Sequence, residues 1–228
     1  MQLRTLAFIT ALGAGMGVTT GASAQSWHGF YVDGAIGARA TNSDTTVTVT
    51  GVTGSDKVDL GKTNFMLEVT GGWRWAPQNA PVVVGIGGFI DAAGTNAGES
   101  STSVGTFSGS FKMKQENRYG VSVDVGPNWR TMPYAKVTYA WSRFEGEFSA
   151  TGCNSASGSQ TQSGWGFGGG VRHLQSNNLY FFAEVLYQDY GNGRFNQTIT
   201  CAGAAPVNAQ VDLSASNWIG VIGAGWKF

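Results

Sequence analysis

The chain predicts an all-β fold, an eight-stranded antiparallel transmembrane β-barrel with long extracellular loops and short periplasmic turns. Three observations lead there. Apolar and aromatic residues alternate with polar or small ones at period two in eight separate stretches. The connections between those stretches alternate strictly between long and short, as they do in outer-membrane barrels. Glycine, at 35 of 228 residues, is too frequent for helices, while β-branched and aromatic residues fill the runs between.

Before the first strand, Arg4 precedes an apolar run to Val18 and the small-residue site Ala22-Ser23-Ala24. That order reads as a signal peptide over residues 1–24, with residues 25–228 as the mature barrel domain. Glycines and threonines interrupt the run well short of the roughly 20 apolar residues a helical anchor needs. Removing Arg4 leaves 13 basic against 14 acidic residues, a formal charge of −1. With 12% charged residues, nothing in the chain suggests nucleic acid as a partner.

The first strand, residues 30–38, sets Phe30, Val32, Gly34 and Ile36 against Tyr31, Asp33, Ala35 and Arg39. Val47 and Val49 then resume on the opposite parity, which reads as a bulge or loop. The second strand alternates Phe65, Leu67, Val69, Trp73 and Trp75 with Glu68, Thr70 and Arg74. After the break at 76–80, Val82, Val84, Ile86 and Ile90 oppose Gly85, Gly87 and Asp91. A long Gly/Ser/Thr segment precedes Tyr119, Val121, Val123 and Val125, opposed by Arg118, Gly120, Ser122 and Asp124. Turn chemistry at 126–130 leads to Ala135, Val137, Tyr139 and Trp141 against Lys136, Thr138 and Ser142.

A polar loop carrying Cys153 follows. Trp165, Phe167 and Val171 then oppose a wall of glycines and Arg172, the glycines leaving room for larger side chains across the interior. After residues 175–178, Phe181, Ala183, Val185 and Tyr187 face away from Glu184, Gln188 and Tyr190. A fourth long loop holds Cys201 and leads to the last strand, where Trp218, Gly220, Ile222, Ala224, Trp226 and Phe228 share a face.

Aromatic rings mark both edges of the apolar band, the expected girdle: Trp73, Trp75, Tyr134, Phe181, Trp226 and Phe228 at the periplasmic rim, and Tyr139, Trp141, Trp165, Tyr187 and Trp218 at the outer one. The opposite face holds Asp33, Arg39, Glu68, Arg74, Arg118, Asp124, Lys136, Arg172, Glu184 and Lys227. A soluble lipocalin-like barrel or sandwich would have to bury those ten charges in a dry core, at several kcal/mol each, whereas a lumen pairs and hydrates them.

The pieces Trp27-His28-Gly29-Phe30-Tyr31-Val32, Pro133-Tyr134-Ala135-Lys136, Tyr139-Ala140-Trp141-Ser142 and Gly164-Trp165-Gly166-Phe167-Gly168-Gly169-Gly170 carry a family resemblance. So do Ala183-Glu184-Val185, Tyr190-Gly191 and the terminal Trp226-Lys227-Phe228. In this order the chain resembles the small single-domain outer-membrane barrels of the OmpA-like and opacity type, of the alphaproteobacterial kind. The resemblance covers the whole mature chain. It implies an integral protein of the Gram-negative cell outer membrane, reached after Sec export. Its partners would be outer-membrane lipid and lipopolysaccharide, and the barrel-assembly machinery acting through the C-terminal strand. The periplasmic peptidoglycan-binding domain of larger relatives is expected to be absent.

Three functional classes follow from these residues. A structural surface barrel contributes to envelope integrity, with extracellular loops for adhesion or for a host or phage ligand. A narrow ion-conducting pore would be lined by Glu68, Arg74, Lys136, Arg172 and Glu184. An envelope-lipid-modifying enzyme needs a base beside a nucleophile, but His28 precedes Gly29-Phe30 and His173 precedes Leu174-Gln175, so no catalytic residues are expected. No cofactor and no metal site are expected either. Cys153 and Cys201, neighbours at one rim in an oxidising compartment, are expected to form a disulfide.

Overall fold

Alternation at period two folds the chain into nine strands: β1 (Gly29–Val49), β2 (Ser55–Trp75), β3 (Val82–Ala93), β4 (Asn96–Val104), β5 (Phe107–Pro127), β6 (Thr131–Ala150), β7 (Ala156–Leu174), β8 (Leu179–Ile199) and β9 (Val207–Lys227). The computed structural model describes residues 27–228 apart from 50–54, 78–79, 95, 105–106, 151 and 202–205. The signal peptide expected at 1–24 lies outside the described residues. All pairings are antiparallel, and β1 closes the ring by pairing β9 from Tyr31–Lys227 to Val49–Ala209. β3 pairs β2 and β5, whereas β4 pairs β5 alone. β3, ending at Ala93, and β4, beginning at Asn96, share the neighbour β5 and form one stave, so the ring has the eight staves expected.

Most strands run 19 to 21 residues, about twice the 9–11 that cross a bilayer. At ~3.3 Å per residue and a tilt of ~35–45°, such a strand rises about 50 Å, against an apolar band of about 25 Å. The long segments therefore lie where expected but are not irregular loops. They continue the strands, which run as far as Val49, Val104, Ala150 and Ile199.

Polarity inverts along the wall. In the lower half, Phe30, Phe65, Val69, Ile86, Val121 and Ile222 point outward and are half or more exposed, while charges point inward. In the upper half the outward positions Asn42, Asp44, Lys57, Asp59, Thr161, Asn196 and Asn208 are exposed and polar. The inward positions there form an apolar core of Val47, Val58, Leu60, Phe111, Met113, Phe144, Phe148, Phe195, Val211 and Leu213. This corrects the phase break expected in the first strand. β1 is continuous through Thr48 against β2 and through Val49 against β9, and Val47 stays on the lumen side, 2% exposed. The apolar residues change faces because the surroundings change, not because the register slips.

At the level of that inversion the ring also loses circumferential continuity. Among the described residues no ladder joins β2 to β4, and none joins β7 to β8 beyond the Trp165–Asp189 pair. The upper half is two four-stranded sheets, β2-β1-β9-β8 and β4-β5-β6-β7, facing each other across the apolar core. Extra residues at 116–117 in β5 and 190–191 in β8 mark the same level, and Gly191 supplies the positive φ of 65° that the second bulge needs. The Cys153–Cys201 disulfide joins the β6–β7 connection of one sheet to the β8–β9 connection of the other and packs on their common core.

Candidate functional site: the barrel lumen

The inward faces of β1, β2, β5, β6, β7 and β8 bring all nine predicted network charges into one column, each no more than 6% exposed. Asp91 of β3, which the sequence reading left out of the network, makes a tenth. Five guanidinium or ammonium groups thus meet five carboxylates. Lys227 is half-buried at the periplasmic end, its backbone N–H on Asn178 O, and stands apart from the column.

Nearest the periplasm, Arg74 lies 3.7 Å from the centre of the Tyr31 ring and 4.9 Å from that of Tyr180. It donates to Tyr180 Oη at 2.8 Å and to Asp33 Oδ2 at 3.4 Å. Tyr180 donates in turn to Asp33. Arg172 pairs with Asp124 and stacks 3.6 Å over Tyr134. Tyr134 itself donates to Glu184 Oε2 at 2.7 Å. Its place is in the lumen, 6% exposed, and not in the periplasmic girdle as expected: it shares the inward parity of Lys136.

One level up, Lys136 Nζ donates to Glu184 Oε1 at 2.8 Å and to Oε2 at 3.0 Å. Higher still, Asp91 serves two cations. Arg118 Nε donates to its Oδ2 at 2.5 Å and Arg39 to its Oδ1 at 3.1 Å, while the other arm of Arg118 reaches Glu68 Oε2 at 2.8 Å. Above the charges comes a neutral layer. Thr41 donates to Gln115, Gln115 to Ser142, and Thr138 to Gln188, which donates to Gly164 O.

The column is stoppered at both ends. At the periplasmic end the fully buried Trp27 packs with Ala76, Val83, Met132, Leu174 and Tyr180, and its indole N–H donates to Trp129 O at 2.7 Å. At the other end stands the apolar core between the two upper sheets. Glycines make room for the column, as the glycine wall implied: a β-carbon at Gly166 would run into Thr138 and Gln188, and one at Gly170 into Ala183 O and Tyr134.

The outer aromatic girdle is a run of touching rings. Tyr139 stands edge-on to Trp141 at 4.9 Å and Trp165 at 5.0 Å, and Tyr187 lies 5.1 Å from Trp218. At the lower rim Trp73 meets Phe30 at 4.5 Å and His28 at 5.1 Å, while Trp75, Trp226 and Phe228 are exposed. His173 sits at that rim too, bonded to Thr131. Neither histidine lies beside the lumen charges.

A closed antiparallel ring with an apolar belt outside, ionised groups inside and aromatic rings at both margins is an integral outer-membrane β-barrel. The chain belongs to the outer membrane protein beta-barrel domain family, which matches residues 8–228, and its place is the cell outer membrane. Among solved structures it is similar to the outer membrane protein OprG from Pseudomonas aeruginosa, with 16% identity, 90% of this chain and 99% of that one covered, and a TM-score of 0.61. It is also similar to AlkL in lipid bilayers (12% identity, 94% and 97% covered, TM-score 0.43) and to Ail of Yersinia pestis (16% identity, 88% and 99% covered, TM-score 0.37). A comparison with curated proteins finds no match.

Proposed function

We propose that this chain is a closed structural barrel, contributing to envelope integrity and presenting its upper two-sheet region as a surface for adhesion or recognition. The observation that carries this reading is the lumen. Ten paired charges, none more than 6% exposed, lie between the Trp27 stopper and a packed apolar core. An ion entering such a column would have to separate buried pairs whose breakage costs about 3–5 kcal/mol each. His173 bonds the Thr131 hydroxyl at the periplasmic rim and His28 stands at the same rim against Trp73, so neither histidine adjoins the lumen charges. Outer-membrane lipid and lipopolysaccharide surround the belt in this reading, the barrel-assembly machinery engages the strand ending at Phe228, and a host or phage ligand would meet the upper sheets.

Ion conductance of the refolded protein in a planar bilayer, with Lys136→Ala alongside, tests the reading. A closed barrel gives no steady current from demonstrably inserted protein. A steady current that changes in the variant would make the lumen a pore and overturn it.

A further inference from the structure

On the lipid-facing side, β2, β3, β5 and β6 enclose an open apolar groove of about 500 Å³. Strand pairing lays its lining out in rows. Val69, Ile90, Tyr119 and Trp141 stand side by side in one row; Gly71 and Gly88 pair in the row beneath, where Val121 follows them. One row further down, Trp73 is opposite Ile86. All of these residues face outward, and Val69, Ile86, Ile90 and Tyr119 are half or more exposed. Two neighbouring residues without side chains thus leave a trough between two rows of large ones. It starts at the outer aromatic margin, where Tyr119 and Trp141 stack at 5.8 Å, and slants down toward Trp73 at the periplasmic rim.

Packing within the barrel explains the inward glycines beside this trough but not the two that form it. A β-carbon at Gly72 or Gly87 would run into the Tyr31 hydroxyl, so the lumen requires glycine there. At Gly71 and Gly88 the nearest atom to such a β-carbon is a carbonyl oxygen 3.7 Å away, an ordinary contact. Glycine weakens a strand interior, and a β-branched residue suits the pleat better. What Gly71 and Gly88 provide is the trough itself.

We infer that the groove is a binding site for one acyl chain of an outer-leaflet lipid, held more tightly than the lipid around the rest of the belt. The groove lies between the two aromatic margins, so what covers it is hydrocarbon, continuous with the bilayer on either side. Within hydrocarbon, preference comes from packing contacts and not from escape from water. A trough touches a chain on its floor and on both walls, whereas the convex wall elsewhere touches it on one side. A second barrel is the poorer occupant, because its convex wall cannot enter a trough two strands wide. The slant from the outer margin selects the outer leaflet. The inference rests on the bilayer belt alone, and a current through the lumen would leave it standing.

Native mass spectrometry of the refolded protein, released from micelles containing dimyristoyl phosphatidylcholine, tests it. The expected result is one lipid retained by the parent, retention lowered several-fold by Gly71→Leu with Gly88→Leu, and retention unchanged in Gly220→Leu. Gly220 is the control because a β-carbon there also meets open space, in β9 and outside the groove. Dihexanoyl phosphatidylcholine, the same headgroup on short chains, should not be retained. Equal retention by the parent and the filled variant, no lipid on the parent, or equal retention of the short-chain lipid would each overturn the inference. A dimer of the parent that Gly88→Leu dissociates would make the groove an interface between copies, which also overturns it. Gly88→Val supplies the retention readout should the double variant lack the gel mobility of the folded form.

Discussion

Replacing Asp91 by Asn should be the most damaging single change of charge in the lumen. The carboxylate takes hydrogen bonds from Arg118 at 2.5 Å and from Arg39 at 3.1 Å, and all three side chains are at most 1% exposed. Among the described residues Arg39 has no other carboxylate, only Gln115 O at 3.5 Å, whereas Arg118 keeps Glu68 at 2.8 Å. Asp91→Asn therefore leaves one guanidinium buried and uncompensated, a loss of about 3–5 kcal/mol. Glu68→Gln also removes one negative charge, but Arg118 retains Asp91, so the loss is the 1.5–3 kcal/mol typical of a hydrogen bond to a charged group. With a urea slope of about 2–3 kcal/mol/M, Asp91→Asn should lower the unfolding midpoint by about 1–2 M and Glu68→Gln by roughly half as much. Tryptophan fluorescence during urea unfolding in micelles reads both. Equal midpoints for the two variants, close to the parent, would refute the reasoning, because they would show that Arg39 is solvated from within the lumen.

Cys153→Ser should remove the difference in gel mobility between reduced and unreduced protein and cost about 4 kcal/mol on the chain-entropy estimate for a 48-residue separation, chiefly in the upper sheets; urea unfolding with and without reductant measures it. Trp27→Ala should cost about 3–5 kcal/mol of stability yet give no steady current in a planar bilayer, since the upper apolar core still closes the column. Gly166→Val forces a branched side chain against Thr138 and Gln188 and should lower stability by about 1–3 kcal/mol, whereas Gly220→Val, at a position with open space outside, should fold as well as the parent. A hydrogen bond from Arg194 holds the Asp212 carboxyl below its usual range, so this exposed pair adds a small stability above the unfolded pKa and loses it as pH falls through the depressed folded value. NMR titration of Asp212 should shift back toward the ordinary carboxylate range in Arg194→Ala.

The lower half of the barrel was legible because a bilayer makes the alternation coarse: Phe, Val, Ile or Trp on one side, and Asp, Glu, Arg or Lys on the other. Nine of the ten column charges and the cysteine pair could be placed from parity and order alone. Asp91 was on the right face in that reading, but it follows Val83, Gly85, Gly87 and Phe89, an inward row with no other charge to draw it into the network. Tyr134, beside Pro133 and a turn, resembled a rim ring, although its parity with Lys136 already put it inside. The upper half was harder. There Thr, Ser and Asn alternate with Val, Ala and Leu, a weak contrast whose phase is reversed, so continuous strand looked like loop. Nothing in Glu116-Asn117 or Tyr190-Gly191 separates a bulge from ordinary strand, because the extra residue shows only in what the neighbouring strand pairs with. Trp27 precedes the first strand and has no periodic context to reveal it as a stopper.

The inversion of polarity fixes how deep the protein sits. A barrel greasy along its full length could ride up or down in the bilayer at a cost of fractions of a kcal/mol per Å. This one meets resistance both ways. Sinking would draw the rows holding Asn42, Asp44, Thr161 and Arg194 into hydrocarbon, and rising would lift Phe65, Trp165 and Trp218 out of it. The level where inside and outside exchange character is thus a waterline written into every strand, and it holds the upper sheets at a constant height above the cell surface.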